Sequence, residues 1–329
     1  LVGLLLGIEA QAQHKITIDA TLEPELRTII ISQEIVYKNN SSLPLQEIYL
    51  NDWANSFSSK TTPLAKRFSE NYDSSFHFEK NKKRGHSSIE HIKNNQAETL
   101  IWQRGEAKDI IRVKLDKILA PGESYTLNLN YNVVIPDDKF TRYGITNSGE
   151  FKIRYWYLSP AVFDGEWHAY SNKDLNDSYL SPSNFDITFH SPNYFSIVSD
   201  LDVVSESLSE NQRTTKLQGK DRMQVKLHIL KTSDFTTIKT DKLEILTNLT
   251  HQKVTPPIKA LVIDRVVNFL DDKLGPYPFD KMMVSEIDYK RNPVYGLNLL
   301  PEFISPFPDG FEYDIEVLKI ISRTYLENT

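Results

Sequence analysis

Tyr125-Thr126-Leu127-Asn128-Leu129-Asn130-Tyr131-Asn132-Val133 places five apolar side chains on one face of an extended chain and four polar ones on the other. A period of two is the pattern of a strand with one face in a core and one in water. The same beat opens the chain, where Ile16, Ile18, Ala20 and Leu22 alternate with Thr17, Asp19 and Thr21. It returns in Ile111–Leu115, Phe185–Phe189 and Met223–Ile229, with turn-rich stretches such as Ala120-Pro121-Gly122-Glu123 between. From Lys15 to about Leu230 the spacing therefore predicts an antiparallel β domain. One interruption, about Ser56 to Gln96, is rich in Ser, Asn and Lys. It reads as a surface excursion, mobile at its tip, with a short helix over Pro63–Ser69.

After Phe235 the period changes. Pro256 and Pro257 open a run in which Ile258, Leu261, Val262, Arg265, Val266, Phe269 and Leu270 recur at helical spacing, stopped by Gly275-Pro276. Proline at the start and glycine past the end are the ordinary signs of helix boundaries. A strand is expected at Met282–Ile287, then a proline-rich loop from Pro293 to Pro308, then a helix from about Glu312. On that helix Ile315, Leu318, Ile321 and Leu326 form the expected apolar stripe. A strand, a loop and helices without a hairpin beat indicate a second, mixed α and β unit. The division is then 1–12, 13–235 and 236–329.

The 329 residues carry 44 Asp and Glu against 38 Lys and Arg, a net charge of −6, which offers no field for a nucleic-acid backbone. With no Cys, disulfides, thiolate metal sites and cysteine nucleophiles are excluded, and metals are left with His, Asp and Glu. No two of the 12 Gly fall as Gly-x-Gly, so dinucleotide fingerprints are absent, and no Gly-x-Ser-x-Gly elbow marks a serine hydrolase. Leu1–Ile8 is an apolar run followed by Ala10-Gln11-Ala12, the form of a signal-peptide remnant with a small-x-small cleavage site. It is too short to span a bilayer, and nothing later reaches that length, so no transmembrane segment is expected. An exported protein of the periplasm or cell surface follows from this reading. The other end stops inside a helical pattern without a cap, which is the pattern of a fragment.

Several phrases, in order, resemble the aminopeptidase N family of zinc metallopeptidases, the gluzincin aminopeptidases. Trp156-Tyr157-Leu158-Ser159-Pro160-Ala161-Val162-Phe163-Asp164-Gly165-Glu166-Trp167-His168 is similar to the family's aromatic-Pro to Asp-Gly-Trp stretch. Asp234-Phe235 is similar to the Asp-Phe pair of its final β-domain strands, and Leu274-Gly275-Pro276-Tyr277-Pro278-Phe279 to its Gly-x-Tyr-Pro entry into the catalytic domain. The resemblance covers about Ile29 to Thr329. It implies a saddle-like antiparallel β sandwich followed by the start of a thermolysin-like α+β catalytic domain. It also implies zinc as the family cofactor, peptides or proteins as partners, and removal of N-terminal residues as the family activity.

The family's two working motifs are altered here. At the Gly-x-Met-Glu-Asn edge strand, Tyr295-Gly296-Leu297-Asn298-Leu299-Leu300-Pro301 keeps Gly296, places Leu297 at the Met and puts Asn298 where a Glu binds the substrate ammonium. A neutral amide forgoes the charge-assisted bond. At the His-Glu-x-x-His helix, Lys319 and Arg323 stand at the His positions and Ile320 at the catalytic Glu. An ammonium and a guanidinium have no free lone pair, and isoleucine cannot act as a base. The distal Glu ligand would fall beyond Thr329. Without the resemblance, the same helix reads as ion-pair laced, with Glu316, Lys319, Arg323 and Glu327 three or four apart. No catalytic residue, metal ligand or cofactor is therefore assigned within this chain.

Other constellations read as structural. His77, His86 and His91 lie in the lysine-rich insertion and are expected to be solvated, and His168 to be packed and bonded to backbone. The run Tyr155-Trp156-Tyr157 could line a sugar or peptide cleft, but by alternation Trp156 should face away from its neighbours, and core packing accounts for at least one face. Asn39-Asn40-Ser41 and Asn248-Leu249-Thr250 match glycosylation sequons, meaningful only in a eukaryotic source. Three functions follow: a catalytically silent, exported homologue of zinc aminopeptidases, an active metallopeptidase with its catalytic residues downstream of residue 329, or a non-enzymatic β-sandwich module that binds peptides or the envelope.

Overall fold

The computed structural model describes residues 14–174, 179–251, 254–291, 294, 307 and 310–328. The leader-like run and Gly296–Asn298 lie outside them. In chain order the first strands are β1 (His14–Glu23), β2 (Thr28–Lys38), β3 (Leu45–Asn51), β4 (His86–Lys93), β5 (Trp102–Arg104), β6 (Ile110–Leu119) and β7 (Ser124–Val134). Next are the short strands β8 (Gly144–Ile145), β9 (Phe151–Arg154), β10 (Ser159–Pro160), β11 (Val162–Phe163) and β12 (Trp167–His168). Then follow β13 (Ser183–Pro192), β14 (Ser196–Ser199), β15 (Asp202–Leu208), β16 (Gln212–Arg222), β17 (Lys226–Leu230), β18 (Thr236–Lys239), β19 (Glu244–Thr247) and β20 (Lys281–Val284). The helices are α1 (Pro63–Glu70), α2 (Ser75–Phe78), α3 (Pro256–Leu274), α4 (Glu286–Arg291) and α5 (Phe311–Leu326).

A seven-stranded sheet in the order β15-β16-β13-β1-β2-β7-β4 forms the floor of a mainly β region. Its pairs are antiparallel except β1 with β13, which run parallel with Ile16 opposite Phe185. Two four-stranded sheets, β10-β3-β6-β5 and β14-β17-β9-β8, and the two-stranded ribbon β11-β12 complete the region. The predicted inward positions hold: Ile16, Ile18, Leu127, Leu129, Val113 and Ile187 are all buried in one continuous core. Burying these rows stabilises by about 25 cal/mol per Å² of apolar surface, which is why the alternation fixes the pairing register.

The interruption expected to be a mobile excursion is folded. α1 starts where expected, with Pro63 at its first position and the Thr62 hydroxyl accepting from Ala65 N at 3.3 Å. Leu64, Ala65, Phe68 and Phe76 join Phe57 and Phe140 in a small core of their own, and the tail of the segment becomes β4 at the edge of the large sheet. Its hydrophobes are spaced too irregularly to announce this core. The expectation failed because aromatic side chains from distant positions supply the burial.

Beyond Phe235 the mixed α and β unit is present, with two corrections. A hairpin, β18–β19, opens it and pairs in parallel with β20. The expected strand at Met282–Ile287 ends at Val284, and α4 begins at Glu286, because Ser285 turns the chain by accepting: its carbonyl oxygen takes a bond from Asp288 N at 3.0 Å and its hydroxyl one from Ile287 N at 3.3 Å. Both helices are rotated from the stripes read in sequence. α3 buries Val262, Ile263, Val266, Val267 and Leu270 while Ile258, Leu261 and Phe269 stay exposed. α5 buries Tyr313, Val317, Ile320, Ile321, Thr324 and Tyr325 while Leu326 is exposed. On α5 the packed face carries Tyr313 and Tyr325, so a stripe drawn through aliphatic residues alone missed it. No helix among the described residues is long and apolar enough to cross a membrane.

Candidate functional site

The two regions meet where β9 and β17 face α4 and the end of α5. Lys226 Nζ sits 3.1 Å from Asp288 Oδ2, and Tyr143 donates its hydroxyl to Asp288 Oδ1 at 2.6 Å. Arg154 reaches Glu327 at 3.3 Å, Gln224 donates to the same carboxylate at 3.1 Å, and Arg323 Nε donates to it at 2.8 Å. Burial opposes ionisation of Asp288, yet the cations Lys226 and Arg154 outweigh it and hold the carboxyl below its usual range. Glu327 is likewise resisted by burial and drawn down to about 2 by Lys226, Arg154 and Arg323. Such a network is structural first: paired and hydrogen-bonded, it joins the units, and losing one partner would strand a buried charge.

Beside this junction lies a cleft of about 590 Å³ lined by Trp53, Ile110, Tyr155, Tyr170, Asn172 and Tyr179, among others. Its rim is anchored from below. Asp109 accepts from Ser171 Oγ and from Asn172 N, each at 2.8 Å, Asn172 Nδ2 donates to Ser56 Oγ at 2.9 Å, and Trp53 Nε1 donates to Tyr170 O at 2.8 Å. Burial pushes the Asp109 carboxyl up to about 6, against the pull of Ser171 and the Asn172 amide. Tyr155 holds a left-handed backbone, φ +54, which a bulky residue adopts only at a cost. Arg154 Nη2 donates to the Tyr155 hydroxyl at 2.9 Å, so the cleft wall and α5 are linked through one guanidinium. Trp156 and Tyr157 do not alternate in and out as expected: all three aromatics are buried, because β9 ends at Arg154 and the chain bends at Tyr155.

The motif positions on α5 separate. Ile320 points into the apolar core with Val317 and Ile321, 1% exposed. Lys319 and Arg323 lie on the half-exposed side, where burial and the Arg323 charge push the Lys319 ammonium below its usual range. Arg323 is engaged by Glu327 in the i,i+4 pair read from sequence. This donor set does not fit zinc: it offers two cationic donors and one buried hydrocarbon chain. Among the described residues no three His, Asp or Glu side chains gather where a metal ion could be held.

The histidines of the insertion stay apart. His86 and His91 stand on edge strand β4, and His77 lies near Ser69. His168 is bonded to side chains rather than backbone, with Asp164 at 2.5 Å and the Tyr170 hydroxyl at 2.7 Å. Sequence reasoning missed Lys226, Asp288, Tyr143 and Asp109. The available signal was the run Gln224, Lys226, His228 on the polar face of a strand that turns out to be covered.

Neither a protein-family model nor a curated protein matches the sequence. Among solved structures, the chain is similar to a two-domain M1 zinc metallopeptidase mutant bound to L-arginine, with 14% identity and TM-score 0.48, covering 84% of this chain and 57% of that one. It is also similar to the M1 zinc metallopeptidase from Deinococcus radiodurans, with 15% identity and TM-score 0.48, covering 84% of this chain and 55% of that one. The chain thus spans little more than half the length of these proteins.

Proposed function

We propose that this chain is the β domain and the opening of the catalytic domain of an aminopeptidase-like protein in which α5 has become a structural clamp instead of a zinc helix. The observation that carries the reading is the fate of the motif positions: Ile320 is packed into the core, and Arg323 is committed to Glu327, which also receives Arg154 and Gln224. A helix used this way cannot present two imidazoles and a base on one side. What remains for function is recognition. The cleft beside Tyr155 and Tyr170 offers aromatic walls and the polar side chains of Lys173 and Asp174, the composition of a peptide-binding recess. An exported location, read from Leu1–Ile8, belongs to the same proposal.

Zinc content and turnover test it together. Metal analysis of the purified chain should find well under one zinc per molecule, and aminoacyl p-nitroanilides should not be cleaved above buffer. One zinc per chain with chelator-sensitive turnover would overturn the reading. Cell fractionation that leaves the protein in the cytoplasm would remove the exported part of it.

A further inference from the structure

A second recess, about 440 Å³, opens between α1, the 139–142 loop, Lys173 and the end of α4. Six cationic side chains line it, Arg67, Lys139, Arg142, Lys173, Lys290 and Arg291, against two carboxylates, Asp73 and Asp174. This concentration runs against the sign of the whole chain, whose net charge is −6. Its floor is apolar, formed by Leu64, Phe68 and Phe140 of the small aromatic core.

The walls are fixed to one another. Arg291 donates to the carbonyl oxygens of Thr141 and Asp174, tying α4 to the loop and to the 173–174 segment. Gly144, at φ +145, turns the chain directly after that loop. Arg142 itself is held at φ +64, a left-handed conformation unusual for a long side chain. Three of the cations are partnered, Arg67 by Glu70, Lys139 by Glu79 and Lys290 by Glu286. The Arg67 and Lys290 pairs are exposed, and pairs of this kind contribute about 0–1 kcal/mol, so an incoming anion competes with them at little cost; the Glu79 partner of Lys139 is more covered. Arg142 and Lys173 are exposed, and among the described residues neither forms an ion pair, although the Arg142 charge acts on the Asp138 carboxyl nearby.

We propose that this recess binds a small organic oxyanion carrying two or more negative charges. Guanidinium and ammonium groups converging on one volume recognise phosphate or carboxylate oxygens through charge-assisted bonds. The volume lies within the ~300–1,000 Å³ range of small-molecule sites, and the aromatic floor accepts a short carbon skeleton. The segment that looked like a solvated excursion in sequence thus supplies one wall of a site. The proposal is independent of whether α5 holds zinc.

Isothermal titration at low ionic strength tests it with inorganic pyrophosphate and with citrate, on wild type, on Arg142→Ala/Lys173→Ala, and on the control Lys117→Ala/Lys220→Ala, whose lysines are exposed elsewhere. Wild type and control should bind at least one probe with one-to-one saturation, and 0.5 M NaCl should weaken it, as screening over about 3–10 Å requires. The recess variant should lose at least tenfold in affinity with an unchanged urea midpoint. Binding of pyrophosphate alone identifies a phosphate ester, and of citrate alone a polycarboxylate. No saturable binding, equal binding by the recess variant, or an equal loss in the control would each overturn the proposal.

Discussion

His228 lies on β17, fully buried, with both ring nitrogens lacking a hydrogen-bond partner among the described residues. Phe235 packs edge-on against it at 5.2 Å. Burial drives its pKa from 6.5 down to about 3, with the Asp288 charge opposing and Lys152 and Lys226 assisting. A depressed histidine stays neutral in the folded chain while the unfolded chain takes up a proton below pH 6.5. Stability from this group is therefore present above 6.5 and lost as pH falls towards 3. At pH 5, one and a half units below 6.5, the loss is about 2 kcal/mol, at about 1.36 kcal/mol per unit. Asp109, raised to about 6, acts with the opposite sign: its contribution is full below its usual range near 3.8 and lost as pH rises through 6. The wild-type slope alone is thus ambiguous, but both effects share one background, so the difference between wild type and His228→Leu isolates the imidazole. Urea unfolding followed by tryptophan fluorescence at pH 8 and pH 5 provides the two differences. His228→Leu should equal or exceed wild type at pH 8, since it removes unsatisfied polar atoms, and should gain a further ~2 kcal/mol relative to wild type at pH 5. Equal pH responses in the two proteins would refute the claim that this imidazole is buried and neutral.

Three further outcomes are expected. Lys226→Met strands the Asp288 carboxylate and should cost about 3–5 kcal/mol in urea unfolding, while a change at exposed Lys220 should cost under about 0.5 kcal/mol. Ile320→Glu should destabilise by at least about 3 kcal/mol because the carboxyl enters an apolar core. The loss should be larger at pH 8 than at pH 5, since a raised carboxyl pKa gives stability that disappears as pH rises, and equal losses at both would show that the side chain escapes to water. Gly144→Ala forces an added Cβ against the Pro136 carbonyl at a positive φ, and a cost of at least about 2 kcal/mol should appear as a lowered midpoint with unchanged slope.

Where one face of a strand meets a core and the other meets water, sequence suffices, and β1, β7 and β13 were legible residue by residue. Legibility ended where a second layer covered the polar face. Gln224, Lys226 and His228 alternate with Val225, Leu227 and Ile229 as a solvent-facing row should, yet they are 4%, 3% and 0% exposed. Only α4 and the end of α5, arriving from sixty and more residues along the chain, turn Gln224 and Lys226 into the buried half of an ion network, while His228 is covered beside Phe235.

The chain chemistry alone determined that Lys319, Ile320 and Arg323 cannot grip a dication, because no fold supplies lone pairs to an ammonium, a guanidinium or a hydrocarbon. What those residues do instead was decided in three dimensions. Helical rotation sends Ile320 inward and Arg323 to Glu327, and the small core that packs the Ser56–Gln96 segment on Phe140 places Arg67 in one recess with Lys139, Arg142, Lys173, Lys290 and Arg291. Local periodicity reports which side of an element avoids water; it carries no information on which distant element will cover the other side.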